Sequence, residues 1–285
     1  MNTKIILIAA IMLFGKIGSA QNKITLNVMT FNIRYDNADD LQNNWQYRKD
    51  FAGQMIRFYD VDIMGTQEVL KNQLDDLLQR LPDYKSLGVG RKDGKEKGEY
   101  SAIFYKAEKY EVEKNGQFWL SQQPEEAGSK GWDAACERIV TWGIFKEKKT
   151  GLRFVFFNTH FDHVGVLARK ESALLLKKRV TEIAGTLPVI LTGDLNVTPD
   201  AEAVHTLLAD GQLADSRKLS KLSYGPSWSF HDFGRTALAA RRRIDYIFVG
   251  KGIKVNRYAS ICETLDTTFL SDHNPVFAEI ELASK

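Results

Sequence analysis

Cysteine is almost absent from this chain. Cys136 and Cys262 are the only two in 285 residues, which excludes a disulfide-rich scaffold. Neither their number nor their spacing makes a zinc site. One disulfide and two reduced thiols both remain open, because pairing depends on geometry. Proline is also scarce, with six residues, and no Pro/Ser-rich linker, low-complexity tract or internal repeat breaks the sequence. That argues for one domain over residues 21–285. A strong charge of one sign is missing too. Lys and Arg total 39 against 36 Asp and Glu, short of the basic excess of a general nucleic-acid binder. Beyond the first twenty residues no apolar run is long enough to cross a bilayer, and no strong membrane-binding signal stands out. Nothing in the sequence points to a protein partner.

Residues 1–20 read as a signal peptide. Lys4 supplies the positive start, Ile5 to Phe14 the apolar stretch, and Gly18-Ser19-Ala20 the small-residue cleavage site before Gln21. The alternative is an uncleaved N-terminal anchor. No Cys follows the apolar stretch, which argues against a lipoprotein anchor. The expectation is export to the periplasm or the cell exterior after cleavage near Ala20. Losing Lys4 and Lys16 takes the formal charge from +3 to +1.

Hydrophobic periodicity mixes the two element types. Ile24 to Thr30 alternates as a strand, Tyr47 to Tyr59 has helical spacing, and Val61 to Thr66 is a short apolar strand. Asn72 to Leu81 is a helix with Leu74, Leu77, Leu78 and Leu81 on one face, stopped by Pro82. β-Branched and aromatic runs follow at Tyr84–Val89, Tyr100–Tyr105, Glu111–Trp119, Ile139–Phe145 and Phe154–Thr159. Leu167 to Ala184 is a long helix, Val189 to Thr192 a buried strand, and Ala201 to Leu208 a helix. Strands around Ile244–Val249, Val255–Ile261 and Val276–Leu282 close the chain. Adjacent strands often lack an intervening helix, which favours two central sheets with helices outside over a doubly wound parallel sheet.

Six polar clusters each end one of these apolar runs: Thr30-Phe31-Asn32-Ile33-Arg34, Gln67-Glu68, Asn158-Thr159-His160, Gly193-Asp194-Leu195-Asn196, Arg243-Ile244-Asp245-Tyr246 and Ser271-Asp272-His273-Asn274-Pro275. Hard divalent cations take oxygen ligands and need only one or two carboxylates. Glu68 directly follows a buried strand, where a carboxylate is costly unless paired or metal-bound. Asn32 offers an amide oxygen and Asp272 a second carboxylate. Taken singly, each also reads as a turn or capping residue. Alternation puts Asp194 and Asn196 on one side of the extended chain. Asp194 is then placed to take a proton from water, and Asn196 to hold that water or a phosphoryl oxygen. The plain alternative is an Asx-turn before the next helix. His160 and His273 are two of only five histidines. Either suits a developing charge on phosphorus, and Asp245 suits the orientation of His273. His163 and Asp162 belong to the same rim.

The charge runs at Lys92–Lys97 and Lys146–Lys149 read as solvated loops, whereas Arg241–Arg243 adjoins a cluster. Arg138 precedes an apolar strand and reads either as a phosphate clamp or as a sheet-edge ion pair. Trp45, Arg48, Phe230 and His231 are candidates for shaping the pocket.

From Thr30 to Pro275 the clusters resemble the endonuclease/exonuclease/phosphatase superfamily, which includes pancreatic-type deoxyribonucleases, apurinic endonucleases, neutral sphingomyelinases, inositol polyphosphate 5-phosphatases and deadenylases. Gly193-Asp194-Leu195-Asn196 and Ser271-Asp272-His273-Asn274-Pro275 carry most of the resemblance. It implies an α/β (α+β) fold, a four-layer αββα sandwich of two mixed sheets flanked by helices. It also implies Mg²⁺- or Mn²⁺-dependent cleavage of a phosphoester. By the same resemblance, Asn32, Glu68 and Asp272 seat the metal, Asp194 activates the water with Asn196, His273 contacts phosphate with Asp245 behind it, and His160 is a second imidazole. Arg34 and Arg138 are further candidate phosphate contacts. Apurinic endonucleases carry an acidic residue where this chain has Arg34, which argues against a second metal ligand there; Asp36 is the nearby substitute. The expected substrate is a small phosphorylated molecule or an unspecified phosphodiester. The alternatives are a nuclease on DNA or RNA, and a non-catalytic binding module that kept the fold. The last would have lost some of the polar positions, and none is lost.

Overall fold

The computed structural model describes residues 22–283; the signal peptide expected at 1–20 lies outside the described residues. Along the chain run β1 (Lys23–Asn32), α1 (Trp45–Phe58), β2 (Ile63–Gln67), α2 (Lys71–Arg80), β3 (Tyr84–Leu87), β4 (Ile103–Lys106), β5 (Tyr110–Trp119), β6 (Ile139–Glu147), β7 (Arg153–His160), α3 (Val166–Ala184), β8 (Val189–Asp194), α4 (Glu202–Leu208), β9 (Leu213–Asp215), α5 (Ser216–Leu219), β10 (Leu222–Tyr224), β11 (Asp245–Gly250), β12 (Lys254–Ser260), β13 (Thr264–Leu265), β14 (Thr268–Phe269) and β15 (Val276–Ala283). One sheet has seven strands in the order β10-β12-β15-β1-β2-β4-β3, the other six in the order β5-β6-β7-β8-β11-β9. Both are mixed. Each is centred on a parallel pair, β1/β2 and β7/β8, with antiparallel partners beside it. A parallel pair needs a crossover, and α1 and α3 provide the two.

Three apolar clusters define the layers. Met29, Phe31 and Met64 of the first sheet pack outward against Ala52, Met55, Ile56 and Leu77 of α1 and α2. Phe157, Leu191 and Phe248 of the second sheet pack outward against Leu176 and Val180 of α3 and Val204 of α4. Between the sheets lie Leu26, Val28, Ile63, Phe154, Phe156, Ile190, Ile247 and Val249. Helix–sheet–sheet–helix is therefore the architecture, as the sequence led us to expect. α1 starts where the Asn44 side chain accepts from the Gln46 N–H at 3.1 Å. α2 ends before Pro82, which cannot continue a helix.

Inner-face parity carries the chain into the site. Side chains two apart share a sheet face. From the apolar layer, β1 climbs through Leu26, Val28 and Thr30 to Asn32; β7 through Phe154, Phe156 and Asn158 to His160; β8 through Ile190 and Thr192 to Asp194. β11 enters at Asp245 and descends through Ile247 and Val249. Each inner face thus changes from apolar to polar toward the same edge. Cys136 and Cys262 are both free thiols, which decides the pairing question left by the sequence.

Candidate active site

Asp194 sits at the floor of a cleft of 730 Å³. Asn32 Nδ2 donates to its Oδ2 at 3.0 Å, and the Asn196 N–H donates to its Oδ1 at 2.9 Å. Burial raises its pKa, the neighbouring Asp245 carboxylate raises it further, and His273 with the two N–H donors opposes them. Asp245 stands opposite Asp194 in the β8/β11 register and holds His273 Nδ1 at 2.8 Å. Burial alone would depress His273, yet Asp245 and Asp194 reverse this and hold it well above the usual histidine range. The buried ring thus lies between two acidic side chains, Asp245 at Nδ1 and Asp194 on the Nε2 side at 3.8 Å. Phe230 closes one edge of that ring at 5.0 Å.

Asn196 leaves the strand in the left-handed region, φ 52°. The extended alternation inferred from sequence therefore stops at Asp194. A turn brings the Asn196 amide to His160 Nε2 and to the Phe161 carbonyl, both at 3.0 Å. His160 also lies 3.4 Å from Asp194 Oδ2. Burial pushes its pKa well down, and Arg138 and Arg91 add to this.

The opposite wall carries Glu68 and Asp272. Glu68 also has positive φ, 61°, which turns it out of the β2 line toward the cleft. Its Oε1 accepts from Asn32 Nδ2 at 3.1 Å and its Oε2 from the Tyr35 N–H at 3.2 Å. Asp272 Oδ1 accepts from the Ser271 hydroxyl at 3.0 Å, and the nearest ion pair to its Oδ2 is Arg34 Nε at 4.0 Å. Burial raises Asp272, Glu68 adds to this, and His273 and Arg34 oppose it. Two carboxylates with this little compensating charge are the donor type a hard divalent cation takes. Asn32 turns its N–H donors, not its oxygen, toward the carboxylates; its Oδ1 accepts from the Arg34 N–H at 3.0 Å. A second grouping, Asp194, Asp245 and His273, has ligand-type atoms within 4.8 Å of one another. Within it, His273 Nδ1 and Asp245 Oδ2 already bond each other at 2.8 Å, and Asp194 accepts from Asn32 and Asn196.

The arginines divide. Arg34 lines the cleft with its guanidinium held by Asp40 at 3.0 and 3.1 Å. Arg138 also lines it. Its Nη2 is 2.9 Å from His163 Nδ1, its Nε is 3.4 Å from Asp162, and its buried Nη1 has no partner. Its contact with Asp162 is the ion pair the sequence offered as one reading, and its place on the cleft wall leaves the phosphate reading open. Arg242 reaches the cleft, whereas Arg243 is buried against Asp215 at 2.5 and 3.1 Å and Arg241 lies over Trp228. Trp45, Arg48 and His231 do not line the cleft. Trp45 bonds Asp76, Arg48 bonds backbone carbonyls, and His231 is buried between Trp228 and Phe269. Asp36 is likewise outside it, bonded to Asn44 and Asn72. Arg91 and Glu99 were missed. They form a bidentate pair at 2.7 Å on the cleft wall. Their signal is a charge of each sign just outside the Lys92–Lys97 run, which alone reads as solvated loop.

Fold and site define a class: two mixed sheets between helices, with carboxylates, amides and imidazoles at their common edge. The profile of the Endonuclease/Exonuclease/phosphatase family matches residues 29–273, and this chain belongs to that family, a hydrolase of phosphoester bonds. Among solved structures it is 46% identical to an endonuclease/exonuclease/phosphatase from Bacteroides vulgatus, covering 91% of this chain and 99% of that one with a TM-score of 0.88. It is 40% identical to the mannosyl-6-phosphatase of Bacteroides thetaiotaomicron, covering 90% and 99% with a TM-score of 0.84. The D. rerio TDP2 structure with a single strand DNA product shares the fold at a TM-score of 0.71 but only 16% identity, covering 90% and 98%.

Proposed function

We propose that this chain is an exported, Mg²⁺-dependent phosphatase of a small phosphorylated carbohydrate. The observation that carries the reading is the 40% identity to a mannosyl-6-phosphatase over nearly the full length of both chains. The cleft supports it. Its 730 Å³ suits a small ligand, and its arginines stand in a near-neutral chain, short of the overall basic excess of a nucleic-acid binder.

In this reading Glu68 and Asp272 would hold the divalent cation, with the Asn32 amide joining Glu68 to Asp194. The cation, when bound, polarises a phosphoryl oxygen and offsets charge on the leaving oxygen. Asp194 accepts the proton of the attacking water, and the bonds from Asn32 and Asn196 orient its carboxyl group. The His273 imidazolium donates from Nε2 to a phosphoryl oxygen while Asp245 holds Nδ1. His160 steadies Asp194 and Asn196. Arg138, with a free donor, and Arg34 contact the remaining phosphate oxygens.

The test is phosphate release with Mg²⁺, and with EDTA as control, from hexose 6-phosphates, inositol phosphates, nucleotides, plasmid DNA, RNA and sphingomyelin. A sugar phosphate should turn over fastest, and EDTA should abolish turnover until Mg²⁺ or Mn²⁺ is restored. Faster cleavage of DNA or RNA would replace this proposal with a nuclease. Mass spectrometry of the exported protein should find Gln21 at its N-terminus; retention of residues 1–20 would argue for an anchor.

A further inference from the structure

Directly beneath the site, the apolar layer between the sheets is interrupted by a polar relay. Gln67 Nε2 donates to Thr30 Oγ1 at 3.0 Å and to Asn158 Oδ1 at 2.7 Å. The Thr192 hydroxyl, on the strand beside Asn158 in the same sheet, lies 3.1 Å both from that Asn158 oxygen and from the Phe157 carbonyl. Asn158 Nδ2 crosses to the carbonyls of Thr66 and Ala102 at 2.8 and 3.0 Å. Gln67 and Asn158 are fully buried. The sheets approach so closely here that only glycine fits at Gly65. A Cβ there would lie 2.1 Å from Thr192 Oγ1 and 2.3 Å from Asn158 Oδ1.

The relay is in register with the site above it. Asn158 and Thr192 lie two residues before His160 and Asp194 on the same inner face, and Gln67 immediately precedes Glu68. The site itself is divided between the sheets. Asn32 and Glu68 stand at the ends of β1 and β2 of the seven-stranded sheet, and Asp272 and His273 on the loop leading into its β15. His160, Asp194, Asn196 and Asp245 belong to the six-stranded one. Apolar side chains would hold two sheets together with little preference for lateral offset. The bonds that cross between the sheets, Gln67 to Asn158 and Asn158 to the Thr66 and Ala102 carbonyls, select one offset and one spacing, because breaking them would strand buried groups beyond the one already unpaired, Gln67 Oε1.

We propose that the Gln67–Asn158–Thr192 relay is a positioning unit that sets the spacing of the two halves of the site, and so governs turnover without touching substrate. It rests on the reading of Asp194 and its neighbours as the hydrolytic centre. A displacement of about 1 Å at a reacting centre costs about 10²-fold in rate, so small relaxations of the relay are visible in kcat.

The experiment compares Thr192→Val, which removes one hydroxyl at nearly constant shape, with Thr192→Ser, which restores it, and with Asn158→Ala. Leu26→Ala cuts the same inter-sheet layer far from the site and serves as the stability control; Asp194→Ala tests the centre. Readouts are kcat, KM, Tm and Mn²⁺ affinity by calorimetry. Thr192→Val should lower kcat about tenfold and Asn158→Ala about 10²-fold, with KM changed less than about threefold. Mn²⁺ affinity should hold, because the carboxylates proposed to bind it come from one sheet. Thr192→Ser should recover most of the rate. Leu26→Ala should lose Tm while keeping kcat. Normal kcat in Thr192→Val overturns the relay even if Asn158→Ala fails to fold, and so does a Leu26→Ala loss of kcat matching its loss of Tm. An active Asp194→Ala overturns the centre itself, which separates the two failures.

Discussion

Replacing Arg48 with Met should destabilise this protein more than any exposed arginine change. Arg48 is fully buried, and no carboxylate forms an ion pair with it among the described residues. Its guanidinium instead donates to four backbone carbonyls: Ile33 at 2.7 Å, Leu270 at 2.9 Å, Arg34 at 3.2 Å, and Asn43 through Nε. It thereby ties the segment after Asn32 to the segment before Asp272. Hydrogen bonds from a charged donor contribute about 1.5–3 kcal/mol each, so four supply about 6–12 kcal/mol. Against them, burial lowers Arg48 from 12.5 to about 10, which corresponds to about 3 kcal/mol against the charged form. The net is about 3–9 kcal/mol. Water re-pairing some of the freed carbonyls brings the expected loss to the lower end, about 3–5 kcal/mol. Met keeps part of the apolar packing against Trp45 and Phe233, so the loss reports mainly the clamp. At this size 1 kcal/mol moves Tm by about 2–4 °C, and the drop should be about 10 °C. Urea and thermal unfolding measure it. Steady-state kinetics should show kcat down about tenfold as the two segments part. Unfolding within about 0.5 kcal/mol of the natural protein, the range of an ordinary surface change, would refute the reasoning.

Asp194→Asn should lower kcat by about 10²–10⁴-fold while Tm holds or rises, because burial and Asp245 both oppose the charge it removes; thermal unfolding beside initial rates tests this, and a large fall in Tm would contradict it. Asp215→Ala strands the buried Arg243 guanidinium and should cost about 3–5 kcal/mol. Its kcat should fall far less than that of Asp194→Asn, and a denaturant titration with matched kinetics decides the point. Arg138→Ala should raise KM for a phosphomonoester more than it lowers Tm, since the residue lines the cleft and one of its buried donors has no protein partner; an unchanged KM would leave Arg138 a structural residue.

Much of the fold was legible because strand periodicity is local. The alternation of Leu26, Val28, Thr30 and Asn32 tells which side chains share a face, wherever that face finally packs. The longer strands and α1 to α4 were accordingly found within a few residues. β9, β10, β13 and β14 were not, since two or three residues carry no period. The Tyr100–Tyr105 run shortened to β4 because Tyr100 instead makes single bridges to Val69 and Gly90.

The sequence by itself determined that polar residues end the apolar strands, and therefore that they gather at one sheet edge. It also determined the residue types available there: carboxylates, amides and imidazoles in the order this family uses. Only the tertiary structure decided how they pair. An arginine looks alike in sequence whether it clamps a loop, as Arg48 does, neutralises a buried aspartate, as Arg243 does, or faces the cleft, as Arg138 does. It also decided that Asn32 donates to Asp194, 162 residues away. The physical reason is that periodicity encodes which way a side chain points from its own strand. The distance between side chains on different sheets is set by how those sheets pack, through contacts such as Gly65 against Thr192 that no local pattern records.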